Sequence, residues 1–154
     1  MERLTKKQIL DQVITKYGRY PELRGYDENR NHCVYLSPDG KRCGVGQYSI
    51  SKALDEAYCE VHNLSEHEDI VLDEHLSEHV RGHEIDFWSD IQGIHDTVFN
   101  TEPRAKEYYG RIWLAEEMPD LLRFIYKKWT GEEWDESMLQ AKVPNRIIES
   151  AELL

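Results

Sequence analysis

Apolar residues recur at helical spacing along most of this chain, and that periodicity limits it to a fold built mainly of helices. Ile9, Val13, Ile14 and Tyr17 keep the three- and four-residue steps that line one face of a helix. Thr5 and Gln8 form a capping-box pattern before them, with Leu4 and Ile9 placed to staple the entry. A helix is therefore expected from about Lys6 to Tyr17, stopped by Gly18. Ile50, Leu54, Ala57, Tyr58, Val61 and Leu64 repeat the pattern and predict a second helix over Ser51 to His62. A short helix is expected around Leu72 to Val80. After an interruption at Gly82 a longer one should cover Ile85 to Val98, burying Phe87, Trp88, Ile91, Ile94, His95 and Val98. The pattern returns from Pro103 to Lys128, where Pro119 must kink or divide it, and Gly131 ends it. The tail, 131–154, reads as peripheral, with short helices around Glu136 to Ala141 and Asn145 to Leu154.

One segment breaks the helical rule. His32 to Leu36 and Lys41 to Val45 flank Ser37-Pro38-Asp39-Gly40, where Pro38 presets a turn and Gly40 can take the left-handed position. This predicts a β-hairpin in which Tyr35 faces Cys43. The expected fold class is mainly α (α+β), a single helical domain over 1–154 with one small β-hairpin.

The 154 residues suffice to bury a core, and at 40% hydrophobic the chain is too apolar to be disordered. No apolar run approaches the roughly 20 residues of a membrane span, and Met1 to Lys7 has no apolar signal region. Cys33, Cys43 and Cys59 make an odd count, which favours thiols in a reducing, cytoplasmic setting. A Cys33–Cys43 bridge would need an oxidising one.

Charge is segregated. The net −11 divides into +4 over residues 1–54, −11 over 55–90 and −4 over 91–154. With no basic stripe, direct binding to a nucleic-acid backbone is not expected. The acidic segment instead suits a basic protein partner, with Glu66, Glu68, Asp69, Asp73, Glu74, Glu78, Glu84 and Asp86 as candidate binding residues. On this reading the chain is a small acidic accessory or interaction protein. The bland alternative is an acidic surface that confers solubility.

Two constellations point to other chemistry. His75, His79 and His83 stand at i, i+4 and i+8, one face of an unbroken helix, and imidazoles so spaced can chelate zinc, with Glu74, Glu78 or Cys59 completing the shell. Gly82 argues against an unbroken helix, there is no HExxH, and the same stripe neighbours Leu72, Leu76 and Val80. A solvated polar face is favoured, and no cofactor is expected. Cys43, in Arg42-Cys43-Gly44-Val45-Gly46, could be an activated thiol with His95 as its base, in a cysteine-dependent hydrolase or transferase. Asp96 points about 100° from His95 on a helix and cannot easily orient its ring. The plainer reading packs Cys43 under Tyr35 and makes His95 a core histidine, so the chain is more readily a binding protein than an enzyme. No Walker loop, GxGxxG, GxSxG or paired CxxC is present.

Cys33, Tyr35, Gly40, Cys43, Val45 and Gly46, followed by Ile91, Gln92, Ile94, His95 and Asp96, resemble a family of uncharacterised small proteins from bacteriophages and bacterial genomes. The resemblance covers about a third of the chain. It departs at Gly44, where the family tends to have Ala, and at Gln47-Tyr48-Ser49, which replaces a Cys-Leu-Ile-Pro run. It implies that the two matched pieces meet in space and that the chain is of phage or prophage origin, acting on host machinery. It implies no chemistry.

Overall fold

The computed structural model describes residues 2–19, 23, 25–27, 32–95 and 118–134. The protein is mainly helical, as the periodicity demands. Helix α1 spans Lys6–Arg19. Its capping box forms: Thr5 Oγ1 accepts from Gln8 N at 3.2 Å, and Gln8 Oε1 accepts from Thr5 N at 2.8 Å. Together they satisfy amides that the first turn would leave unpaired. Ile9, Leu10, Val13, Ile14 and Tyr17 are all fully buried. Gly18 does not stop this helix, which continues to Arg19.

The hairpin expected over residues 32–45 is not formed. Its turn exists, with Gly40 N donating to Ser37 O at 2.9 Å and Gly40 at φ 86°, where only glycine is unstrained. Pairing beyond the turn is confined, among the described residues, to an isolated Leu36–Arg42 bridge, with Ser37 N donating to Lys41 O at 2.8 Å and Cys43 N to Tyr35 O at 3.4 Å. The chain then leaves extended geometry for a 3₁₀ turn at Gly46–Tyr48. A two-residue antiparallel pair, β1 (Tyr26–Asp27) on β2 (His32–Cys33), takes the backbone that a hairpin would have used, and Val34 N donates to Gly25 O at 3.3 Å.

The segment from 51 to 83 departs most from expectation. Helix α2 is only Lys52–Asp55, capped by Ser51 Oγ accepting from Leu54 N at 3.1 Å. It does not run on to His62, because the Glu68 carboxylate accepts from Tyr58 N and Cys59 N at 3.0 and 2.8 Å. A 3₁₀ turn at Val61–Asn63 leads into α3, Leu64–Glu68, which ends at Asp69 in the left-handed region at φ 54°. Nor is Leu72 to Val80 one helix. Two 3₁₀ turns, Leu72–His75 and Glu78–Val80, flank a bridge between Ser49 and Leu76. Ile50 N donates to His75 O and Ser77 N to Tyr48 O, so helical bonding there has lost its partners. Leu54, Val61, Leu64, Ile70, Leu72, Leu76 and Val80 are nevertheless buried. The apolar spacing is met by tertiary packing instead of by a helix.

Helix α4, Ile85–Gly93, buries Phe87, Trp88 and Ile91 and is followed by buried Ile94 and His95. Val98 lies outside the described residues, as do Ile112, Trp113 and the tail from 135 onward. Helix α5, Met118–Thr130, carries Pro119 in its first turn, where a missing N–H costs nothing. Gly131, at φ 75°, closes it by donating to Lys127 O at 2.9 Å. Helix α1 packs on both α4 and α5. Asp90 on α4 joins α5 by accepting from Trp129 Nε1 at 2.8 Å and pairing with Lys128 at 3.0 Å. Asp11 on α1 accepts from Tyr126 Oη at 2.8 Å. Among the described residues no helix is long and apolar enough to cross a membrane.

Candidate functional site

The eight acidic candidates divide into two groups. Glu68 holds the 58–59 backbone, and Asp73 accepts from Gly82 N at 3.1 Å, so both carboxylates shape loops. Burial works against the charged form of Glu68, but bonds from the Cys59 amide and thiol and the Tyr58 amide outweigh it and hold its carboxyl below the usual range. Glu84 pairs with Lys6 at 2.8 Å, and that bond draws its carboxyl down. Asp86 lies 3.6 Å from the His62 ring. The other four, Glu66, Asp69, Glu74 and Glu78, are exposed, and none of their side chains forms an ion pair with the described residues.

No single helix runs through the three spaced histidines, which lie on two 3₁₀ turns and the loop after them. His75 Nδ1 lies 2.6 Å from Ser51 Oγ, and His79 sets its ring edgewise on Tyr48. His83 Nε2 reaches Leu4 O at 2.9 Å while its ring packs on Phe87. Among the described residues no group of three or more His, Cys, Asp or Glu is placed to hold a metal ion.

Cys43 and His95 do belong to one region, and both are at 0% exposure. Gly46 N donates to Cys43 Sγ at 3.1 Å. Gly25 N donates to His95 Nε2 at 3.2 Å, and the His95 ring stands edgewise on Tyr17, with centroids 4.7 Å apart. A base whose Nε2 lone pair already accepts an amide proton cannot take one from a substrate or a thiol at that atom. A nucleophile must also be reachable. Among the described residues both groups are thus buried, and each already accepts a backbone N–H. Asp96 lies outside the described residues.

The 43–46 and 91–95 pieces meet: a Cβ on Gly44 would stand 3.0 Å from Ile91 O and 3.3 Å from His95 Cβ, and Gln92 Oε1 accepts from Val45 N at 3.3 Å.

The sequence reading missed a cleft of about 450 Å³ between the Ser37–Gly40 turn and α2. Val34 and Ala57 are buried at its floor, while Pro38, Glu56 and Tyr58 are exposed around it. Helical spacing assigns Tyr58 to the core, yet it is 60% exposed. The signal was non-local, because Glu68 breaks the helix that would have buried that ring.

Comparisons with protein-family models, with curated proteins and with solved structures found no match to this chain.

Proposed function

We propose that this chain is an interaction protein that docks a basic protein partner through the acidic face of residues 55–90. The observation that carries the reading is the set of exposed carboxylates, Glu66, Asp69, Glu74 and Glu78, whose side chains form no ion pair among the described residues, in a segment holding 12 acids and 1 base. An uncompensated field of one sign steers an oppositely charged surface toward it and penalises wrong partners. The resemblance to phage and prophage proteins extends the proposal to a host protein as the partner. Burial of Cys43 and His95 favours binding over chemistry.

The test is affinity capture with the intact chain and with a variant carrying Glu66→Gln, Asp69→Asn, Glu74→Gln and Glu78→Gln. Asparagine tolerates the left-handed backbone of position 69. A basic protein held by the intact chain at low salt should be released as salt rises and should be lost from the variant. Capture that ignores both salt and the four substitutions refutes the reading.

A further inference from the structure

We infer that the cleft beside α2 is the anchoring point for an arginine side chain on an extended segment of that basic partner. The inference rests on the docking reading and adds to it where, and by which residue, the partner is gripped. The lining is two-sided in chemistry. Val34, Leu36, Pro38 and Ala57 supply apolar surface, and Asp55 and Glu56 supply carboxylates, while no Lys, Arg or His lines it among the described residues. An apolar bed with acidic groups suits a side chain that is itself apolar along its stem and cationic at its head.

The carboxylates differ in availability. Asp55 accepts from Arg42 Nη1 at 2.8 Å and Nη2 at 3.4 Å, so its oxygens are occupied. Among the described residues the Glu56 carboxylate pairs only with Lys52, at 3.7 Å, with the two side chains 67% and 85% exposed. A pair so exposed contributes little and exchanges readily for a better partner. A guanidinium is that partner: its planar fork matches a carboxylate bidentately, beside the Tyr58 that lines the cleft. An ammonium lacks the fork, which selects arginine over lysine. The volume of about 450 Å³ is that of a small-ligand site and takes one long side chain with its flanking backbone. A second copy of this chain is a poor occupant, since it carries a net charge of −11.

The probe is a fluorescein-labelled octa-arginine peptide, followed by anisotropy at low salt, with octa-lysine for comparison. Variants Glu56→Gln and Tyr58→Ala change exposed side chains, and circular dichroism checks their folding. Each should weaken octa-arginine binding by about two- to fivefold, and octa-lysine should bind more weakly than octa-arginine. In the unaltered chain, amide resonances of Glu56, Ala57 and Tyr58 should shift on adding octa-arginine, a readout that needs no variant. If octa-arginine binds but both variants bind it equally and the shifts fall only between Glu66 and Glu78, the cleft assignment is wrong and the acidic-face reading survives. If neither peptide binds the intact chain at low salt, both fall together.

Discussion

Replacing Gly46 with alanine should destabilise the protein severely, whereas the same change two residues earlier should be nearly silent. Both glycines have ordinary φ, so the contrast lies in space and not in backbone strain. A Cβ on Gly46 would fall inside the shell of the Tyr35 carbonyl oxygen, 2.7 Å from its carbon and 2.9 Å from Tyr35 Cα. These are backbone atoms, which must retreat by roughly an ångström to restore ordinary contact near 3.5 Å. That movement costs about 1–3 kcal/mol as overpacking. It also strains the Cys43 N to Tyr35 O contact and the bond from Arg42 Nη1 to Gly46 O, each contributing about 1 kcal/mol. Less the roughly 0.4–1 kcal/mol by which alanine stiffens the unfolded chain, the expected loss is about 2–5 kcal/mol, out of a total near 5–15 for a domain. On Gly44 the tightest contacts are Ile91 O at 3.0 Å and Ile91 Cγ2 at 3.2 Å, where a few tenths of an ångström suffice. The reduced freedom of an unfolded alanine offsets about 0.4–1 kcal/mol. Gly44→Ala should therefore lie within about 1 kcal/mol of the parent. Urea unfolding followed by tryptophan fluorescence measures both, with the midpoint read at constant slope. A Gly46→Ala midpoint equal to the parent's would refute the close approach of residues 35 and 46.

In the native protein a thiol reagent should modify Cys59 before Cys43, which should react only on unfolding, because Cys43 is fully buried. Faster labelling of Cys43 would reopen the nucleophile reading. His95→Leu leaves the Gly25 N–H without the acceptor it uses now and should cost about 1–3 kcal/mol in the same urea assay. An unchanged midpoint would contradict that bond. The Glu68 carboxyl is held below its ordinary value in the folded state. Its contribution is thus complete above the unfolded value near about 4.3 and is lost as pH falls through the folded one. Hydrogen exchange at Tyr58 and Cys59 amides, referenced to Glu68→Gln, should show protection that fades in that acidic window. Protection equal in parent and variant at neutral pH would remove Glu68 as the clasp.

What was legible in the sequence is what neighbouring residues decide among themselves. The capping box of Thr5 and Gln8, the buried stripe of α1, the run from Phe87 to His95 and the turn ended by Gly40 all depend on residues within a few positions of one another. The charge of the acidic segment belongs to the same class, since it is composition.

Tertiary structure decided the rest, through polar groups that reach across the chain. Glu68 takes the amides of residues 58 and 59, the backbone of 48–50 takes that of 75–77, and Gly25 donates to a ring 70 positions away. Each of these bonds overrides a local preference that periodicity alone would have followed. Between them they end α2 before the exposed Tyr58, divide the 72–80 segment into two turns and hold the buried His95 ring. The apolar residues of 51–83 could reach the core by either route, helix or packed turns, because hydrophobic burial is non-directional. The directional demand of backbone amides for acceptors, met from far along the chain, chose between them.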